Sequence, residues 1–153
     1  MDNKSTFQEL FNKDYKNGKS NEERVVKFLN DNTYYQYYLE KKKFSLYDFK
    51  IFNEPNRLEE LKSRDFFHDD FETAMIGKEK IEKAIKYHKK MKFQFWYLYK
   101  DGLFYYDFNI EDIKNANIFL DFWCRTSRGR EEKKLVYYIP KELLTFFSDE
   151  ITF

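Results

Sequence analysis

Apolar residues recur at helical spacing at Val25, Val26 and Leu29, which predicts a helix over residues 21–31. The polar run before them, Ser20-Asn21-Glu22-Glu23, has the form of a capping box, in which the serine hydroxyl and the third-position carboxylate satisfy each other's backbone amides. Phe7, Leu10 and Phe11 predict a shorter helix at 5–11, set apart by a polar stretch through Asn17-Gly18. Aromatic-rich segments at 33–40 and 44–52 read as strands, and the turn-forming Asn53-Glu54-Pro55-Asn56 leads to a returning strand at 57–63. A loop containing Asp69-Asp70 precedes a helix at 78–91, in which Ile81, Ala84, Ile85 and His88 form a stripe. Residues 93–99 and 103–109 flank Asp101-Gly102, a strong hairpin signal. Strands at 117–123 and 134–139 and a short helix opening at Pro140 complete the order. The expected class is α/β, with an αβββαβ core, a central mixed sheet flanked by helices, and extra strands and a short helix at the C-terminal end.

The 153 residues suit a single domain, with a core at about 18–109 and an extension at 110–153. Cys124 is the only cysteine, so no disulfide forms within the chain, and one thiol fits a reducing, intracellular setting, the cytoplasm or nucleus of a host cell if the source is viral. No run of about 18 apolar residues occurs, and the opening MDNKSTFQEL has no apolar signal core, so neither secretion nor membrane spanning is expected. The 28 basic and 27 acidic residues nearly cancel, which leaves local clusters to carry any electrostatic function. Aromatics make up 22% of the chain, a bias that AT-rich coding also produces, so this number alone does not indicate a base-stacking surface.

The sharpest chemical signal is Asp48 on one strand of a hairpin and Glu60-Leu61-Lys62 on the other. An acid, any residue and a lysine occur eight times in the chain, so the triplet itself carries nothing. Placement distinguishes it. Strand alternation points Glu60 and Lys62 to one face and Leu61 to the other. If residue i pairs with 108 minus i, Asp48 lies opposite Glu60, with Cβ atoms about 5 Å apart. Two carboxylates so close need a positive charge between them. Hard oxygen donors with room for water suit Mg²⁺, which would lower the pKa of a bound water and neutralise charge on a phosphate. Lys62 would orient that water or hold a phosphate oxygen. A one-residue slip would separate the acids, and the competing reading is a solvated ion pair on a strand face.

With these residues in this order, the chain resembles the PD-(D/E)XK nucleases, the restriction-endonuclease-like fold. Gly18-Lys19-Ser20-Asn21-Glu22-Glu23-Arg24-Val25-Val26 with Leu29 is similar to the opening helix of archaeal Holliday junction resolvases, and Glu60-Leu61-Lys62-Ser63-Arg64 to their catalytic strand. Continuing into Ile76-Gly77-Lys78-Glu79-Lys80-Ile81, the order also resembles small nucleases of phages and large DNA viruses. The likeness runs from about Gly18 to Asn109. It implies a Mg²⁺-dependent endonuclease, with Mn²⁺ as a substitute, acting on DNA that is branched or otherwise structured. Asp48, Glu60, the Leu61 carbonyl and a helix glutamate would bind the metal, and Lys62 would assist the water. Glu22 is chosen over Glu23 because it precedes Val25 and Val26 by three and four residues and shares their inward face. Tyr47 stands where the motif has Pro, a position that supplies no ligand. Analogy with resolvases implies a homodimer, because two opposed cuts need two sites. RNA as substrate, and a non-catalytic nucleic-acid or protein-binding module on the same fold, are the alternatives.

A polyanion needs basic contacts. Lys78, Lys80 and Lys83 on the second helix are candidates, Lys80 foremost, together with Arg64 and with Arg128 and Arg130 in a later basic loop. Lys41-Lys42-Lys43 form another cluster. Gly18-Lys19-Ser20 is no phosphate loop, since position 13 is Lys rather than Gly. His68 and His88 lack a second matching pair, and His88 falls on the apolar stripe, so packing is expected rather than zinc. Cys124 is expected as a packed thiol rather than a nucleophile.

Overall fold

A computed structural model describes residues 7–40, 47–125 and 132–153. Helix α1 (Phe7–Asn32) runs into strands β1 (Tyr37–Leu39), β2 (Phe49–Ile51) and β3 (Glu54–Ser63). Strand β4 (Thr73–Gly77) leads directly into helix α2 (Lys78–Tyr87), followed by β5 (Lys92–Tyr99) and β6 (Gly102–Asp107). Helix α3 (Ile110–Lys114), β7 (Phe119–Arg125), β8 (Glu132–Pro140) and β9 (Thr145–Ser148) complete the order.

The protein is mixed α/β. Its main sheet has the order β1-β2-β3-β5-β6-β9, and a second sheet the order β4-β8-β7. β3 and β5 are parallel, joined through β4 and α2, and every other neighbouring pair is antiparallel. β5 is buried along nearly its whole length because both faces of the sheet are covered, which is why its sequence, Lys-Phe-Gln-Phe-Trp-Tyr-Leu-Tyr, is apolar without strict alternation. Val25 and Leu29 of α1 cover one face, packing on Tyr37, Phe49, Leu61, Trp96 and Leu98. Ile81 and Ala84 of α2, with Ile76 and Ile139 of the second sheet, cover the other face over Leu58, Phe93, Phe95 and Tyr97.

Several expected elements differ. The two N-terminal helices are one, so Ser20 lies inside α1 and caps nothing. β1 and β2 are three residues each, and the β2–β3 turn is tighter than predicted: Asn53 takes a left-handed conformation (φ 64°) and β3 begins at once, with Pro55 near its start. α2 ends at Tyr87 instead of 91. β4, α3 and β9 are additional, and the chain after Pro140 forms a single 3-10 turn, Lys141–Leu143. The C-terminal strands do not simply extend the sheet: β7 and β8 build the second sheet with β4, and β9 returns to the main one. The hairpin at Asp101-Gly102 is present, with Gly102 at φ 146°.

Candidate active site

Phe49 pairs with Glu59, the register in which residue i faces 108 minus i, and the ladder shifts before Ile51, which pairs with Glu54. Asp48 therefore meets the centre of β3. Its N–H donates to the Glu59 carbonyl (3.2 Å), and its Oδ2 accepts from the Leu61 N–H (2.8 Å). Alternation along β3 sends Leu61 into the α1-side core and Glu60 and Lys62 toward α2. Glu60 is only 3% exposed. The Lys62 ammonium lies 3.0 Å from its Oε1, and the Lys80 ammonium, from the first turn of α2, 3.0 Å from its Oε2.

Glu22 approaches from α1. Its carboxyl lies close enough to that of Asp48 for each to shift the titration of the other, and Lys19 lies 3.7 Å from its Oε2. Glu23 is exposed, one position round the helix from the buried stripe. Thus α1, the β2 entrance, β3 and α2 bring Glu22, Asp48, Glu60, Lys62 and Lys80 together.

The electrostatics are those of crowded acids in a poorly solvated place. Burial pushes Asp48 up to about 6, and the Glu22 charge adds to this, while the Leu61 N–H and Lys62 oppose it. Glu22 is raised, first by burial and further by Glu60, against the pull of Asp48 and Lys19. Burial also raises Glu60, where Lys62 and Lys80 act against Asp48. Two neighbouring carboxylates repel unless one takes up a proton or a cation lies between them.

The donor chemistry fits a hard divalent cation: carboxylates of Glu22, Asp48 and Glu60 with the Leu61 carbonyl between the last acid and Lys62. The spacing is not that of an assembled cage. Among the described residues no three or more of Asp, Glu, His or Cys are grouped closely enough to hold a metal ion, and both oxygens of Glu60 face lysines.

The expected phosphate contacts are less exposed than a free basic face would be. Lys80 is buried against Glu60, so it belongs to the acid cluster and not to the outer face of α2. Its position, one before Ile81 and four before Ala84 on the buried stripe, is the sequence signal for this. Lys83 lies over the ring of Tyr47, as Lys80 does, each 5.1 Å from its centroid. Lys78 pairs with Glu82 at 3.3 Å. Arg64 donates to the Ser63 and Met75 carbonyls. Arg128, Arg130 and Lys41–Lys43 lie outside the described residues.

His68 and His88 are placed structurally. His68 bonds Asp101 through Nδ1 and stacks on Phe104, and His88 Nδ1 lies 2.8 Å from the Ile85 carbonyl at the end of α2. Cys124 is exposed and not packed, because β7 lies on the outer edge of the second sheet. No helix among the described residues is long and apolar enough to cross a membrane. No family model, no curated protein and no solved structure matches the chain.

Proposed function

We propose that the protein is a Mg²⁺-dependent endonuclease of the PD-(D/E)XK type, with Mn²⁺ as a substitute, that hydrolyses phosphodiester bonds in branched or otherwise structured DNA. The convergence of Glu22, Asp48 and Glu60 with Lys62, from three separate elements, carries this reading. The order around that cluster, α1, the three main-sheet strands β1 to β3, then α2 after β4 and the parallel strand β5, supports it as well.

In this reading Asp48, Glu60, the Leu61 carbonyl and Glu22 hold the metal, which when bound supplies a Lewis acid and a water of lowered pKa. Lys62, whose side chain is 30% exposed and so reachable by substrate, orients that water or holds a phosphate oxygen. Lys80 keeps the Glu60 carboxylate ionised and fixed, a positioning role. Raised acids serve such a site, since divalent binding and proton release are linked, and activity would climb as pH passes about 6, where Asp48 ionises.

The pairing of both Glu60 oxygens with lysines favours a second reading, a non-catalytic nucleic-acid or protein-binding module whose ion pairs only hold β3 to α2. One experiment separates the two. Linear duplex, single-stranded, four-way-junction and RNA substrates are incubated side by side with Mg²⁺ or Mn²⁺ and with a chelator. The nuclease reading expects metal-dependent cuts, lost in Lys62→Ala and Asp48→Asn while circular dichroism is unchanged. Binding without cutting on all substrates leaves the module.

A further inference from the structure

α1 ends at Asn32, but the sheet face it covers continues. Arg57 and Glu59 of β3, Lys92, Gln94 and Trp96 of β5, and Tyr105 and Asp107 of β6 share that face. The register fixes this, with Arg57 beside Lys92, Glu59 beside Gln94, Gln94 beside Asp107 and Trp96 beside Tyr105. Trp96 and Tyr105 pack in the α1-side cluster, which identifies the face as the one opposite Glu60. Beyond the α1 contact this face forms the floor of a cleft of about 1230 Å³, walled by Tyr34, Tyr35 and Tyr37 where the chain leaves α1, and by Phe147 beyond.

Glu59 lies in this floor at 1% exposure. Its Oε1 accepts from the Trp96 indole N–H at 2.7 Å, and its Oε2 is buried with no hydrogen-bond partner among the described residues. The Tyr37 hydroxyl stands near the carboxylate and favours its charge, without reaching Oε2 in hydrogen-bond geometry. A buried carboxylate oxygen left in this state is costly, and native proteins rarely tolerate one without a use. Arg57, the nearest cation on the strand, does not take it. Its guanidinium donates to Gln94 Oε1 (3.0 Å) and the Tyr35 hydroxyl (3.2 Å) and lies 4.8 Å from the Tyr35 ring centroid. With its oxygen turned to Arg57, Gln94 keeps its Nε2–H₂ as a donor.

The floor therefore holds, just beneath the cleft surface, an acceptor that lacks a donor among the described residues, beside a donor on the adjacent strand and bordered by aromatic rings. A simple cation is a poor match, because Arg57 beside Glu59 and Lys92 near Asp107 already balance the two carboxylates of this floor. A flat neutral heterocycle with an N–H next to a carbonyl matches both groups. Guanine matches best: N1–H and the 2-amino group are adjacent donors for one carboxylate, and O6 accepts from an amide. Tyr34 is fully exposed, so its ring is open for stacking, and Tyr35, 39% exposed, offers the part of its ring that Arg57 does not cover; such stacking is sequence-tolerant and adds to base affinity.

We propose that this cleft binds an unpaired guanine base, with Glu59 reading its Watson–Crick edge, Gln94 its O6, and Tyr35 with Arg57 forming the wall beside the ring. The site is separate from the acid cluster, since Glu59 and Glu60 are consecutive on β3 and face opposite layers, and it does not require nuclease activity.

The test is calorimetric titration of the full chain in chelator with GMP, IMP, AMP and CMP, and with a thymidine oligonucleotide carrying one central dG or none. Burial pushes Glu59 up to about 7, so the titrations are run at pH 8, where the carboxylate is charged. GMP or the dG oligonucleotide binds in preference to its counterparts. IMP, lacking the 2-amino donor, binds about tenfold more weakly than GMP, and AMP, whose N1 is an acceptor facing a carboxylate, is rejected more strongly. Binding of GMP assigns the free nucleotide as sufficient, and binding of the oligonucleotide alone assigns the strand. Glu59→Gln, shown folded by its thermal transition, removes the preference for G over A. Should that variant not fold, Tyr35→Ala on the rim carries the test, and it weakens the guanine ligand at least threefold. Equal affinity for all bases, no binding of either guanine ligand, or undiminished preference in a folded variant overturns the proposal.

Discussion

Asp48→Asn should stabilise the protein while removing its proposed activity. The asparagine carbonyl can still accept from the Leu61 N–H, the 2.8 Å bond that ties β2 to β3. It carries no charge to oppose Glu22 and Glu60. Burial first, and Glu22 second, push Asp48 up to about 6 from an ordinary 3.8, so folding favours its neutral form. The sign follows from linkage: the folded-state pKa is raised, so the contribution to stability is fully present below about pH 4, fades as pH rises through about 6, and is absent above. A change of that size corresponds to roughly 3 kcal/mol, and because the titrations of Asp48 and Glu22 are coupled, the part removed by one substitution is roughly 1 to 3 kcal/mol.

At pH 8 and in chelator, Asp48→Asn should therefore melt above the parent protein, by about 2 to 4 °C for each kcal/mol in a chain of this length. At pH 4 the difference should shrink to a small remainder, since Asp48 is then neutral in the folded protein. Millimolar Mg²⁺ should raise the parent's transition and leave the variant's nearly unmoved. Scanning calorimetry at pH 4, 6 and 8, with chelator and with Mg²⁺, measures all three. A variant that melts lower than the parent at pH 8, with no pH dependence in the difference, would show that the carboxylate stabilises the fold through Lys62 and would refute the argument from repulsion.

Lys62→Ala should lower metal-dependent cleavage by roughly 10² to 10⁴-fold, the range for loss of a positioned proton-handling group, with the urea midpoint little changed because Lys80 still neutralises Glu60. Unaltered turnover would remove Lys62 from the site. Lys80→Met should cost about 3 kcal/mol in urea denaturation, because it withdraws a nearly buried ammonium from a carboxylate that is itself 4% exposed. A neutral outcome would mean that Lys62 alone compensates Glu60. Gly102→Ala should cost more than about 2 kcal/mol: the residue sits at φ 146°, and a Cβ there would lie 2.6 Å from the Ser148 carbonyl oxygen, so β9 must move away from β6. Hydrogen exchange at residues 145–148 would report the loosening, and protection equal to the parent's would contradict it.

The acid cluster is legible where local periodicity decides direction. An apolar Leu61 between Glu60 and Lys62 fixes the face of β3, and the three- and four-residue steps from Glu22 to Val25 and Val26 fix the face of α1, so Glu22 is separable from Glu23. Continuity of α1 is not legible, because Asn17, Gly18 and Ser20 all favour interruption locally. Gly18 lies on an open surface where a Cβ would meet nothing within 4 Å, so its cost is only the intrinsic one of about 1 kcal/mol, and burial of Val25 and Leu29 exceeds it. β4 escapes for a related reason: five residues with Gly at the end alternate correctly, Ala74 and Ile76 inward, but become a strand only through pairing with β8, far along the chain. Glu59 is legible only through alternation, because the motif beside it concerns the other face of β3. In Arg57-Leu58-Glu59-Glu60-Leu61 the first, third and fifth residues share a face, which places two charges in line with a core leucine.

Glu59 and Glu60 are therefore consecutive acids, both almost fully buried and facing opposite layers of the protein. Two such side chains in the centre of a sheet oppose stability, and apolar residues of similar volume would pack there without a desolvation cost. The two are treated differently by their surroundings. Glu60 meets two ammonium groups, and its charge is locally matched. Glu59 receives one indole N–H and keeps an oxygen without a donor among the described residues, while Asp48, beside Glu60, is held up by burial and by the Glu22 charge. An ion-pair network built only to hold β3 to α2 would account for Glu60 and leave the other three acids unexplained. Their incomplete neutralisation marks two places, one on each face of β3, where a positively charged or hydrogen-bond-donating ligand would lower the free energy of the folded chain. Thermal shifts with Mg²⁺ and with GMP should then add independently, because the sheet separates the two sites, and a combined shift well short of the sum would show that the two ligands compete for one place.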